Sequence, residues 1–265
     1  MTAQLKYIDI GVNLTNKRFD KDRELIIQNA EKLGVVKQIV TGTNLFESRK
    51  AFELSRRFPQ RLYSTAGCHP HDAKDFELTD IEELHQLIKE TNVVAVGECG
   101  LDFNRNFSPE QDQLRVFEQQ LELAVECQKP VFLHERDAFE TQYKLLKDYA
   151  HNLNGGVVHC FTGKSQHMQA YLDLGMHIGI TGWICDERRG VELYNNVHLI
   201  PSDKLLLETD APYLLPRDLR PKPKSSRNLP QYLPHIAETI ARARNEDLVE
   251  LTNHCYLNTE RLFGL

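Results

Sequence analysis

The sequence predicts a (β/α)8 barrel, built as one domain over residues 1–265. Three observations point to it. Short apolar, β-branched runs recur eight times, and the segments between them carry helical periodicity. The functional ends of successive runs, at about 11, 42, 69, 98, 134, 159, 182 and 210, lie 23 to 36 residues apart, which suits one strand and one crossover helix each. No Ser/Gly-rich linker or low-complexity tract divides the chain. An open doubly wound sheet is the other arrangement such units could form, and the count of eight favours the barrel.

The strands are predicted near 7–12 (YIDIGV), 36–42 (VKQIVTG), 62–68 (LYSTAGC), 93–99 (VVAVGEC), 130–135 (PVFLHE), 156–161 (GVVHCF), 177–182 (HIGITG) and 205–210 (LLLETD). Between the third and fourth, Ile81, Leu84 and Ile88 repeat with helical spacing. After the fourth, Leu114, Phe117, Leu121 and Ala124 do the same. Ser108-Pro109-Glu110 supplies the start of that helix, with a capping hydroxyl and Pro in the first turn. The triple leucine 205–207 reads as a strand buried on both faces, stopped by Ala211-Pro212. The tail beyond about 230 is helical.

Composition narrows the function. With 41% hydrophobic and 26% charged residues the chain is an ordinary globular one. A net charge of −6 gives no global basic field, so a polyanion must be held by a local basic patch or a metal. No run of about 18 apolar residues occurs, so no membrane span is expected. The N-terminus enters a strand almost at once, which argues against a signal peptide. The cysteines 68, 99, 127, 160, 185 and 255 form no CxxC pair. Neither a structural zinc cluster nor a disulfide framework is expected from that spacing; reduced thiols in a cytoplasmic monomer are.

The polar strand ends carry the chemistry. Glu98, His134, His159 and Asp210 each end a different predicted strand, where a barrel places its active site. By alternation Glu98 shares a face with Val94 and Val96, His134 with Phe132, and His159 with Val157. Two imidazoles and two carboxylates at one mouth form a divalent metal site. Cys99 and Cys160 fall on the opposite faces, which leaves sulfur out. Singly, each residue has a plainer explanation: a hydrogen-bonded rim histidine, a helix cap, or in Asp210 a turn before proline. Their coincidence on four strands points to the metal.

Other rim features are weaker. His69 and His71, in CHPHD at 68–72, could contact a phosphate or form a proline turn with an Asp cap. Arg136 could bind an anion or pair with Asp137. Five bases in 217–227 (Arg217, Arg220, Lys222, Lys224 and Arg227), stiffened by Pro216, Pro221 and Pro223, form either a phosphate-binding lip or solvated surface. Phe161 and Trp183 follow strand ends and could stack on a base.

The motifs GCHPHD, VGECGLDF, PVFLHERD, HCFTG and LETDAPYL run in that order along essentially the whole chain and resemble the TatD family of metal-dependent deoxyribonucleases. The opening DIGVNLT resembles the branch that gives the family its name. The resemblance implies a (β/α)8 hydrolase that cleaves phosphodiesters with a divalent cation, Mg2+ favoured and Mn2+ or Zn2+ possible. It further implies 3′→5′ exonuclease action on single-stranded DNA and possibly RNA, in DNA repair or degradation. Carried over by position, Glu98, His134 and His159 are metal ligands, and Asp210 is ligand, general base or both. From their own placement, Glu208, one layer below Asp210 on the same face, would hold a ligand imidazole, with Asn13 also behind the ligands, and His69, His71, Arg136, Arg217 and Lys222 at the rim would bind substrate. Many relatives carry His-x-His at the end of the first strand, where this chain has Gly11 and Asn13, so a tightly held two-metal site is in doubt. The alternatives are an amide or aminoacyl-ester hydrolase of the same barrel type, and a non-catalytic nucleic-acid-binding module.

Overall fold

A computed structural model describes residues 4–265. Eight parallel strands, β1 (Tyr7–Val12), β2 (Val35–Val40), β3 (Leu62–Ala66), β4 (Val93–Asp102), β5 (Val131–Arg136), β6 (Gly156–Val158), β7 (His177–Ile180) and β8 (Leu205–Leu207), pair in sequence order. The sheet closes where Asp210 N donates to Gly11 O (2.9 Å) and Asn13 N to Ala211 O (2.8 Å). This is the (β/α)8 barrel expected. The helices are α1 (Arg23–Lys32), α2 (Leu45–Arg57), α3 (Leu78–Ile88), α4 (Glu110–Cys127), α5 (Phe139–Tyr149), α6 (Ser165–Asp173), α7 (Val191–Asn196), α8 (Leu233–Arg244) and α9 (Leu248–Phe263). No helix among the described residues is long and apolar enough to cross a membrane.

Two apolar layers hold the barrel. Ile10, Ile39, Val94, Phe132, Val157 and Leu206 pack in its interior with Leu262 and Phe263 of α9. Leu205 and Leu207 point outward into the larger cluster beneath the helices. The three leucines are therefore buried on both faces, as their run suggested.

Strand ends differ from expectation for a physical reason. β6 and β8 stop at Val158 and Leu207, earlier than predicted; beyond them only single inter-strand bonds persist, among them His159 N to Leu133 O (3.0 Å) and Glu208 N to Ile180 O (3.1 Å). β4 runs on to Asp102. Simple alternation also fails there: Val94 is interior, but Val96 packs outward. The register slips between Gly97 and Cys99, and that slip directs Glu98. Gly97 allows it, with φ +140° and no room for a Cβ, which would meet Phe132 O at 2.3 Å. Ser108 does not cap α4. Its hydroxyl donates to His71 O (2.8 Å) and accepts from Lys74 N (3.1 Å), tying the start of α4 to the His69 loop.

Candidate metal centre

Three imidazoles converge on one carboxylate oxygen. Glu98 Oε1 lies 2.8 Å from His159 Nε2, 3.0 Å from His134 Nδ1 and 3.3 Å from His69 Nε2. Backbone bonds fix the side chains from below. Glu98 N donates to Gly42 O (2.8 Å), His69 N to Thr43 O (2.8 Å) and His159 N to Leu133 O (3.0 Å). Donor atoms of His69, Glu98 and His134 all lie within 4.8 Å of one another. His134 Nε2 is buried without a hydrogen-bond partner, 3.5 Å from Asp102 Oδ2. Nitrogen and oxygen donors crowded around one point fit a divalent cation better than any partner the protein itself supplies.

The outer hydrogen bonds sort ligands from donors. His159 Nδ1 faces Glu208 Oε1 at 2.8 Å, so its proton sits there and Nε2 keeps a lone pair for a metal. His134 Nε2 has no such hydrogen bond to fix its tautomer, with Asp102 Oδ2 3.5 Å away. His69 is the reverse of His159. Its Nδ1 accepts from His71 N (3.1 Å), which leaves the proton on Nε2 as a donor into the mouth. Geometry thus adds His69 to the cluster, while its tautomer suits a phosphate oxygen.

Glu208 sits in a nest made for it. It is fully buried, and its second oxygen accepts from Cys160 N (2.9 Å). A Cβ at Gly11 would fall 2.2 Å from Glu208 Oε1. Glu208 thus fills the space that a side chain at position 11 would need.

Behind it lies Asp9, which sequence reading missed. It is wholly buried and accepts from the Thr209 hydroxyl and from Thr209 N (2.9 Å). Burial pushes its carboxyl up to about 8, the Thr209 hydrogen bonds oppose the rise, and the charge of Glu208 adds to it. The ordinary value is 3.8. Between the two the folded chain holds a proton that the unfolded chain has lost. Unfolding free energy should therefore fall as pH rises through that window, by up to about 1.4 kcal/mol per pH unit. Asp9→Asn is expected to flatten this slope in chemical denaturation; a slope identical to wild type would refute the assignment.

Asp210 faces the same mouth. Its Oδ1 accepts from Asn13 Nδ2 (2.9 Å). Burial drives its carboxyl well above the ordinary range, and the charge of Glu208 adds to that. A cation at the imidazole focus would oppose the shift. His71 is committed to Asp102, with Nε2 2.7 Å from Oδ2. Asp102, also missed in the sequence, is pinned in turn by Asn104 N and Arg105 N.

The basic rim is arranged differently from expectation. Arg136 is exposed and does not pair with Asp137, whose Oδ2 accepts from Asn104 Nδ2 (2.6 Å). Lys222 is exposed. Arg227 grips Asp22 through both Nη atoms (2.9 and 2.7 Å) and so ties its loop down. Phe161 is buried in the core and cannot stack on a base. Asp186 organises the rest. Buried after β7, it accepts from Arg188 N, from Arg189 N and from Arg189 Nε (3.0 Å), with Arg217 Nη1 at 3.8 Å. Burial opposes ionisation of Asp186, but those hydrogen bonds win and bring it to about 2. Arg189 lies 4.4 Å over the Trp183 ring. The side chains of Arg188, Arg189 and Arg217 are each more than half exposed. The RR pair at 188–189 after strand 7 was the signal available in the sequence.

The chain was then compared with known proteins. Residues 8–264 match the family described as TatD related DNase. The 3′-5′ ssDNA/RNA exonuclease TatD of Salmonella typhimurium is 52% identical over 255 residues, 96% of this chain and 98% of that protein. Its namesake in Escherichia fergusonii is 52% identical over 257 residues, 97% and 98% of the two chains. Among solved structures, a TatD homologue from Escherichia coli K12 superposes with a TM-score of 0.90 at 28% identity, covering 99% of this chain and all of the other. An organophosphorus hydrolase mutant from Deinococcus radiodurans shares the fold alone, with a TM-score of 0.64 at 15% identity over 99% and 94% of the two chains. Profile, near full-length identity and barrel agree: the chain belongs to the TatD family of metal-dependent deoxyribonucleases.

Proposed function

We propose that this protein is a divalent-metal-dependent exonuclease that removes nucleotides from the 3′ ends of single-stranded DNA and RNA, with Mg2+ as the working ion. The observation that carries the reading is the convergence of His134, His159 and His69 on Glu98 Oε1 beside Asp210. The names of the relatives supply the substrate class. Glu98, His134 and His159 would hold the cation, with Asp210 beside them at the mouth. When bound, the cation polarises the phosphoryl group and makes water acidic enough to attack near neutral pH.

The remaining roles belong to this chain's own side chains. Asn13 occupies Asp210 Oδ1, so Oδ2 is the oxygen left to take a proton from the attacking water. His69 donates Nε2–H to a non-bridging phosphate oxygen. Glu208 keeps His159 in the tautomer that offers Nε2 inward. Arg188, Arg189 and Arg217 neutralise the backbone of the incoming strand, and Trp183 offers a stacking face beneath Arg189. The exposed arginines favour a polyanion over an amide substrate.

A matrix of substrates against metals tests this. Chelator-stripped protein is given Mg2+, Mn2+ or Zn2+ with a single-stranded oligonucleotide, an aminoacyl-tRNA or simple amides. Turnover of the oligonucleotide alone is expected; preferential turnover of an amide or aminoacyl ester would overturn the reading. Replacing Arg188, Arg189 and Arg217 with Gln should raise KM and flatten the log–log salt dependence by about 2, at about 0.7 per single-strand phosphate contact. An unchanged slope would return these arginines to plain surface.

A further inference from the structure

We propose that Cys185, Asp218 and His235 form a second metal site, a structural one for Zn2+, built from residues that take no part in the mouth. Cys185 ends the short turn Gly182–Cys185 after β7 and is buried; Asp218 lies in the loop after β8, and His235 on α8. One donor atom from each lies within 4.8 Å of the other two. Around a tetrahedral zinc with bonds of about 2.0–2.3 Å, donor atoms stand roughly 3.3–3.8 Å apart. His235 Nε2 and Asp218 Oδ1, now hydrogen-bonded at 2.7 Å, must open by about an ångström or less, and the thiol, within 4.8 Å of both, need close by no more than about as much.

The donor types choose the ion. Thiol, imidazole and carboxylate together suit Zn2+ and reject Mg2+, so the site does not compete for the ion of the mouth. A cavity of about 320 Å³ opens beside it, lined by Cys185, Asp218, Asp186, Thr239 and Arg242 among others. It has room for the water that would complete four-coordination. Burial pushes the Cys185 thiol up to about 12, so it carries its proton until the ion arrives. Binding then releases one proton to solvent, from sulfur, while His235 moves its ring proton from Nε2 to Nδ1.

The placement gives the ion a task. Cys185 directly precedes Asp186, the hub of Arg188 and Arg189, and Asp218 directly follows Arg217. An ion here ties the two arginine-bearing segments to each other and to α8. It would fix the lip that receives the strand.

Titrating Co2+ into chelator-stripped full-length protein tests the site. The expected result is a near-ultraviolet thiolate-to-cobalt charge-transfer band that saturates and is bleached by Zn2+ but not by Mg2+. It should persist in Glu98→Gln and in Cys160→Ser, and vanish in Cys185→Ser. If Cys185→Ser does not fold, His235→Asn should weaken Co2+ binding at least about tenfold. No band in wild type, a band that survives Cys185→Ser, or undiminished affinity in His235→Asn would overturn the proposal, leaving three groups that only hydrogen-bond one another.

Discussion

Asp210→Asn is expected to lower turnover roughly 10²–10⁴-fold, the range for losing a general base, with little change in oligonucleotide affinity. The amide has nearly the volume of the carboxylate. It can still accept from Asn13 Nδ2, which now lies 2.9 Å from Oδ1, so barrel closure at Gly11 and Ala211 survives. What is lost is the second oxygen's capacity to take a proton. In the proposed mechanism the phosphate contacts lie on His69 and the arginines after β7 and β8, so KM should hold. Restoration of near wild-type turnover by excess Mn2+ would reduce Asp210 to a ligand and remove the base from the mechanism.

Glu98→Gln should fail differently. Its Oε1 is the point on which three imidazoles converge, and an amide there brings neither charge nor a good second lone-pair direction. Removing an outer partner of a metal ligand costs about 10–100-fold in affinity, and losing the ligand itself should exceed that. Activity at low metal should collapse and be partly recovered by excess Mn2+. Apparent metal affinity, read by activity against free Mn2+, checks it. An unaltered metal curve would mean that the cation is held elsewhere.

The two substitutions also mark how far the sequence could be read. Strands were visible because parallel, doubly buried runs such as LLL at 205–207 stand out, and their polar ends named Glu98, His134, His159 and Asp210. Glu208 was expected behind a ligand imidazole because it lies two residues before Asp210, and it meets His159 Nδ1. Alternation gave the mouth-facing side of Glu98 by the wrong route, since the slip at Gly97 leaves no trace in residue periodicity. The loss of histidine at position 11 was legible. That Glu208 fills the space was not, because the two lie on strands at opposite ends of the chain. Asp9 and Thr209, 200 residues apart, escaped for the same reason. Arg188 and Arg189 drew no reading from the sequence, Arg217 was expected to bind substrate, and Arg227, counted in the possible phosphate lip, instead pairs with Asp22. Cys185, Asp218 and His235 have no motif spacing, so only the fold brings them together.

The central claim is tested most directly by a time course on a 5′-labelled single-stranded oligonucleotide with chelator-stripped protein to which Mg2+ is returned. The account expects no cleavage before the metal is added. Afterwards it expects a ladder that shortens one nucleotide at a time from the 3′ end, on DNA and on RNA. Digestion that proceeds in chelator, immediate release of the 5′-terminal nucleotide, or internal cuts from the first time point would contradict it.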